Sequence, residues 1–142
     1  MTVVTLMETY HEFGWALRRI MGSKNVRAKS QEDFAAKMSR GGYPVGQQVI
    51  SDYMRNVSKT DEETGEEIVR PRVLPSMEFV AALVTNPEFK LDSSQREDAI
   101  NSWLDILPES RRVAVLGLCS SLRDAEVSSD AWREMLAYEE ER

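Results

Sequence analysis

The sequence holds one cysteine and one histidine in 142 residues. A single cysteine excludes an internal disulfide framework. Cys119 and His11 lie far apart and do not supply the several convergent donors that a zinc site needs, so no metal is expected. Cys119 sits in an apolar stripe with no nearby His or basic cluster to lower its pKa, and reads as an inert core thiol. Carboxylates are abundant, but no placed pair with separated acidities stands out. Gly41-Gly42 lacks the spacing of a phosphate-binding loop. Neither an enzyme nor a cofactor is expected. No apolar run reaches the ~18 residues of a membrane span. MTVVTLMETYHEFGW has no basic region ahead of an apolar core and does not read as a secretory signal. The expected setting is cytoplasmic and nucleoid-associated, with no membrane partner.

What is present is charge, unevenly placed. The net charge is −6, which taken whole disfavours nucleic acid. Residues 1–60 carry nine Lys or Arg against five Asp or Glu, a balance of +4, whereas residues 61–142 carry nine against nineteen, a balance of −10. Attraction to a duplex follows the local field, screened over roughly 10 Å. The basic half can face DNA while the acidic half faces away, with modest, salt-sensitive attraction.

Hydrophobic spacing predicts a mostly helical chain. Tyr10, Phe13, Ala16, Leu17 and Ile20 mark a first helix over Met7–Met21, ending at Gly22. Ser30 is a natural N-cap for a second, with Asp33 three residues on, close to a capping box. Phe34, Ala35 and Met38 form its apolar side, and Gly41-Gly42 ends it with positive φ allowed. A third helix runs from Val45 or Gly46 to Arg55, with Val49, Ile50 and Tyr53 inward and Gln47, Gln48, Ser51, Asp52 and Arg55 outward. Two short helices joined by a glycine-rich turn, the second opening on paired glutamines, outline a helix-turn-helix that sets one helix in the major groove.

Residues 57–74 break helical rhythm. They are either an acidic loop or a hairpin with strands at Asn56–Lys59 and Ile68–Val73, turning near Glu63–Glu66, with Pro71 confining the second strand to an edge. Pro75 and Ser76 then open a helix bearing Phe79, Val80, Leu83 and Val84, ended by Asn86-Pro87. Asp92 or Ser93 caps the next, with Ala99, Ile100, Trp103, Leu104 and Leu107 apolar. Pro108 separates it from a helix through Arg123 with Val113, Leu116, Cys119 and Leu122 inward. A last helix carries Trp132, Met135 and Leu136. The expected fold is all-α: a helix-turn-helix domain of four to five helices over residues 1–91, with a small β-hairpin wing as one reading of 57–74, plus C-terminal helices over 92–142.

Residues 13–56 resemble the Cro/CI-type helix-turn-helix domain of the XRE family. The resemblance rests on Ser30, Gln31, Glu32, Asp33, Phe34 and Ala35 at the start of the second helix. Gly46, Ile50-Ser51 and Arg55-Asn56 follow it along the recognition helix, and Pro75–Thr85 is similar to the helix that closes the core. The chain departs from the pattern in its turn, where Ser39–Gly46 inserts several residues, and at Met54-Arg55-Asn56. The resemblance implies a symmetric dimer on operator half-sites and a backbone-phosphate contact from Gln31. Glutamine can bond bidentately to adenine, which suits Gln47 and Gln48 at the helix tip. Ser51, Asp52 and Arg55 continue that face. Arg55 suits guanine or phosphate, and Asp52 suits cytosine N4 or the orientation of Arg55. Lys24, Arg27, Lys29, Lys37, Arg40 and Lys59 are candidate phosphate contacts, which position without specifying. Arg70 and Arg72 would grip flanking DNA if the hairpin is a wing.

Residues 92–142 show no nameable chemistry. Trp103, Trp132, Met135 and Leu136 suit either a dimer interface, where aromatics and Met are enriched, or the core of one chain. Treating 1–91 as a unit implies that a chain cut after Leu91 still folds. The expected function is a sequence-specific double-stranded DNA-binding regulator, dimeric and acting by operator occupancy. The alternative is an acidic helical adaptor or antirepressor that binds protein, favoured by the excess acid after residue 60.

Overall fold

A computed structural model describes residues 10–123 of the chain. The order of elements is α1 (Glu12–Met21), α2 (Gln31–Arg40), α3 (Gln47–Met54), β1 (Asn56–Thr60), β2 (Glu67–Pro71), α4 (Met77–Thr85), α5 (Ser93–Ile106) and α6 (Glu109–Arg123). The molecule is mostly helical, with one two-stranded antiparallel sheet among the described residues.

Local chemistry sets the helix starts. Ser30 caps α2 by accepting from the Asp33 N–H, and Asp33 in turn accepts from the Lys29 N–H at 2.8 Å. The contact goes to the residue before the cap, where the third-position side chain of a capping box bonds the cap's own N–H. Ser76, the residue after Pro75, caps α4. Asp92 and Gln95 complete a reciprocal capping box on α5. α1 begins later than its apolar spacing predicts. His11 stands outside the helix as N-cap, its side chain accepting from the Gly14 N–H.

α4 is buried on nearly every face, from Met77 through Val84. A helix of this kind belongs at the centre of a core. Phe79 meets three rings near-perpendicularly, Tyr53, Tyr43 and Phe13, at centroid distances of 4.9, 5.9 and 6.3 Å. One apolar cluster runs from Phe13 on α1 to Leu107 after α5. α1 and α5 are also tied at the surface by Arg19 and Asp98, in a two-pronged contact at 2.8 and 2.9 Å.

Trp103 is fully buried and donates its indole N–H to the Pro75 carbonyl at 2.8 Å. It is therefore a core residue of one chain and not an interface anchor. Trp132, Met135 and Leu136 lie outside the described residues. On α6, Val113 and Leu116 are exposed, at 66% and 45%, where the spacing had placed them inward. The helix is turned so that Val115 packs on the core, and Arg112 reaches back to the Leu104 carbonyl near the C-terminal end of α5.

The acidic segment forms the hairpin, with strands close to those expected. The register pairs Asn56 with Pro71 and Thr60 with Glu67. Gly65, at φ 72°, closes the turn by donating to the Asp61 carbonyl.

Candidate nucleic-acid interface

α2 and α3 pack through Phe34, Ala35, Met38, Ile50 and Met54, all buried. The connection between them, residues 41–46, is long but held. Ser39 bonds the Val45 N–H through its hydroxyl, and the Tyr43 N–H donates to the Met38 carbonyl. Gly41 ends α2 at a negative φ, and only its neighbour Gly42 takes positive φ, at 104°.

Gly46 caps α3 without a side-chain bond. Gln47 and Gln48 are exposed on its first turn. The Gln48 amide nitrogen donates to Asp52 Oδ1 at 3.0 Å, one helical turn on. The Asp52 carboxylate also faces Arg72 Nε at 3.7 Å. Asp52 is thus occupied by Gln48 and Arg72 and does not orient Arg55. Ser51 is half-buried. Arg55 lies beyond the end of α3 in extended backbone, bridged to Tyr10, and its carbonyl accepts from the Arg72 N–H at 2.8 Å. Its side chain is exposed but is not on the helical face that Ser51 occupies. Val49 is 37% exposed, a correction to its inward placement. Met54, four residues beyond Ile50, fills the inner face instead, and Tyr53 lies at its margin.

The back of α3 is fixed by α1. The His11 N–H donates to the Met54 carbonyl at 3.3 Å. Gly14 approaches so closely that a Cβ there would lie 2.2 Å from the Met54 oxygen. His11 is 7% exposed, and its Nε2 is buried with no hydrogen-bond partner among the described residues. Burial pushes its pKa down to about 4, against smaller opposing contributions from backbone groups of Tyr53 and His11.

The basic residues divide into groups. Lys29 and Gln31 line a groove of 390 Å³ with Tyr10, Arg18 and Met54. The Gln31 amide nitrogen faces the Met54 sulfur at 3.7 Å, so its side chain lies against the end of α3. Arg18 stacks over the Tyr10 and Trp15 rings at 5.9 and 5.6 Å. Lys37 and Arg40 line a separate cavity with Asn25, Glu88 and Lys90, and Arg40 pairs with Glu88 at 3.5 Å. No α3 residue lines that cavity, whereas Met54 of α3 lines the first. Lys24 and Arg27 are exposed in the α1–α2 connection, Arg27 at φ 50°. Lys59 lies on β1 opposite Ile68. Arg70 is exposed on β2, and Arg72 follows it.

Among the described residues, no group of three or more His, Cys, Asp or Glu is placed to hold a metal, and no helix is long and apolar enough to cross a membrane. No family model, curated protein or solved structure matches the chain.

The tie from Arg72 to Asp52 escaped the sequence reading. Twenty residues separate the two, and only the closed hairpin brings them together. The cap formed by His11 escaped that reading as well, since the apolar spacing carried the first helix back to Met7 and set His11 inside it. His is not among the preferred capping residues.

Proposed function

We propose that the protein is a sequence-specific double-stranded DNA-binding regulator of the helix-turn-helix type, acting by operator occupancy as a dimer. The reading is carried by the exposed first turn of α3, where Gln47 and Gln48 stand outward on a helix whose other face is locked into the core. That end of a recognition helix meets base edges. Gln48 keeps its carbonyl oxygen and one amide hydrogen for a base after donating to Asp52, which is what bidentate bonding to adenine requires. Asp52 serves as a positioning residue in this scheme. Lys29, Lys37 and Arg40 supply sequence-independent attraction.

The test begins with selection of bound fragments from random duplex DNA. The double variant Gln47→Ala, Gln48→Ala should weaken binding to the selected sequence by roughly tenfold or more, the scale of a lost bidentate contact. Binding to unrelated DNA should hold. Lys37→Ala should weaken both alike and reduce the salt slope by about 1. Equal loss on both DNAs for the glutamine variant would remove base reading. No binding to any duplex at low salt would favour the protein-binding adaptor.

A further inference from the structure

Among the described residues, no strand pairs with either edge of the hairpin beyond the Tyr10–Arg55 bridge at the foot of β1. Every residue of β2 but Pro71 is exposed, including Ile68 at 41% and Val69 at 53%. A lone two-stranded ribbon is marginal in water, and an open edge invites another strand. We propose that the β2 edge is the site where a second copy of this chain docks, by antiparallel pairing of β2 with β2 of the partner across a two-fold axis at Ile68.

The hydrogen-bond phase defines which groups are available. Asp61 N–H bonds the Glu66 carbonyl, and Arg72 N–H bonds the Arg55 carbonyl, each at 2.8 Å. Residues 66 and 72 therefore turn their backbone groups toward β1. By the alternation of a strand, 68 and 70 do the same, while 67 and 69 turn theirs outward. Pro71 falls in the outward phase, where its missing N–H breaks no bond within the hairpin.

Charge then selects the register. With Ile68 opposite its own copy, Glu67 lies opposite Val69, and Glu66 opposite Arg70 of the second chain. Two opposite-charge pairs flank an apolar pair on one face, a favourable cross-strand set. The β1 edge offers no such match: Val57 and Lys59 turn their backbone groups toward β2, so the equivalent axis at Val57 sets Arg55 opposite Lys59 of the second chain, and one at Lys59 sets that residue opposite its own copy, like charges in both cases.

The pairing also has a geometric consequence that rests on the proposed DNA reading. Arg72, at the foot of the hairpin, is four residues from the axis. At ~3.3 Å per residue the two feet separate by roughly 26 Å along the strands. The β1 strands that join α3 lie three strand spacings apart, roughly 14 Å. The ends of the two α3 helices then stand about 30 Å apart, close to the ~34 Å between successive major-groove half-sites.

Sedimentation of the full chain without DNA tests the pairing apart from any operator. The expected result is a monomer–dimer equilibrium. Val69→Pro removes an outward N–H and should leave a monomer with unchanged helical circular dichroism. Arg70→Glu and Glu66→Arg should each weaken the dimer by tenfold or more, and the double variant should restore it, since the exchanged charges again face each other. A chain monomeric at all concentrations, or a dimer untouched by all these changes, would overturn the pairing. Neither result would touch base reading by α3, which is judged on the selected DNA.

Discussion

Gly14 and His11 hold α3 from behind, and both do so through backbone geometry. Gly14 sits where a methyl group would meet the Met54 carbonyl oxygen at 2.2 Å. That oxygen belongs to a helix end, so relief would require α1 and α3 to separate. Gly14→Ala should lower stability by about 2–3 kcal/mol, as overpacking against fixed backbone does, read as a fall in the urea midpoint at unchanged slope. His11 adds a pH dependence of definite sign. Its folded pKa, about 4, lies below the usual 6.5. The folded state therefore holds the neutral ring while the unfolded state takes up a proton below pH 6.5. Stability from this residue is complete above that pH and falls as pH approaches 4. Carboxylates also change stability with pH, so the useful comparison is His11→Asn, which keeps a capping oxygen without titrating. The wild type should lose about 2–3 kcal/mol more than this variant between pH 7 and pH 4. Parallel curves would show that burial of His11 is not maintained in solution.

At the scale of elements, α3 and the hairpin form a connected unit. Arg72 bonds the Arg55 carbonyl through its backbone and faces Asp52 through its side chain, and Asp52 holds Gln48. The exposed charge pair itself contributes little, about 0–1 kcal/mol. Its effect is orientational. Asp52→Ala should leave the unfolding midpoint nearly unchanged. It should reduce discrimination against a changed base at the Gln48 position by several-fold, measured as a ratio of affinities for the two DNAs. A large fall in stability with discrimination intact would make Asp52 structural. The ends of these elements were largely legible beforehand, because caps are local: Ser30, Ser76 and Asp92 act within three residues of themselves. The hairpin was legible as one of two alternatives, since turn residues and weak strands are local too. The rotation of α3 was not. Val49, Ile50, Tyr53 and Met54 are all apolar, and which of them turn inward depends on the close passage of α1 across Met54.

At the scale of the whole molecule, α5 is part of the core that supports α3. Trp103 and Leu107 share one cluster with Phe13, Phe34 and Phe79. The division at Leu91 set the helix-turn-helix apart from the later helices, but a motif of that kind is local and is silent about what covers it. α5 shows the same limit, since its apolar residues read equally as core or as dimer anchor until the Pro75 carbonyl is seen to receive the Trp103 indole. A chain cut after Leu91 would therefore expose the faces of α1 and α4 that α5 covers. It should fail to fold cooperatively, seen as loss of a sigmoidal urea transition, which replaces the expectation of a stable 1–91 fragment. Trp103→Ala in the full chain should cost about 3–5 kcal/mol at any protein concentration. Concentration separates the two roles for Trp103: loss of an interface anchor would weaken a dimer and spare a monomer, while loss of a core residue lowers the unfolding midpoint equally at high and low dilution. A midpoint that fell only at the higher concentration would return Trp103 to the interface.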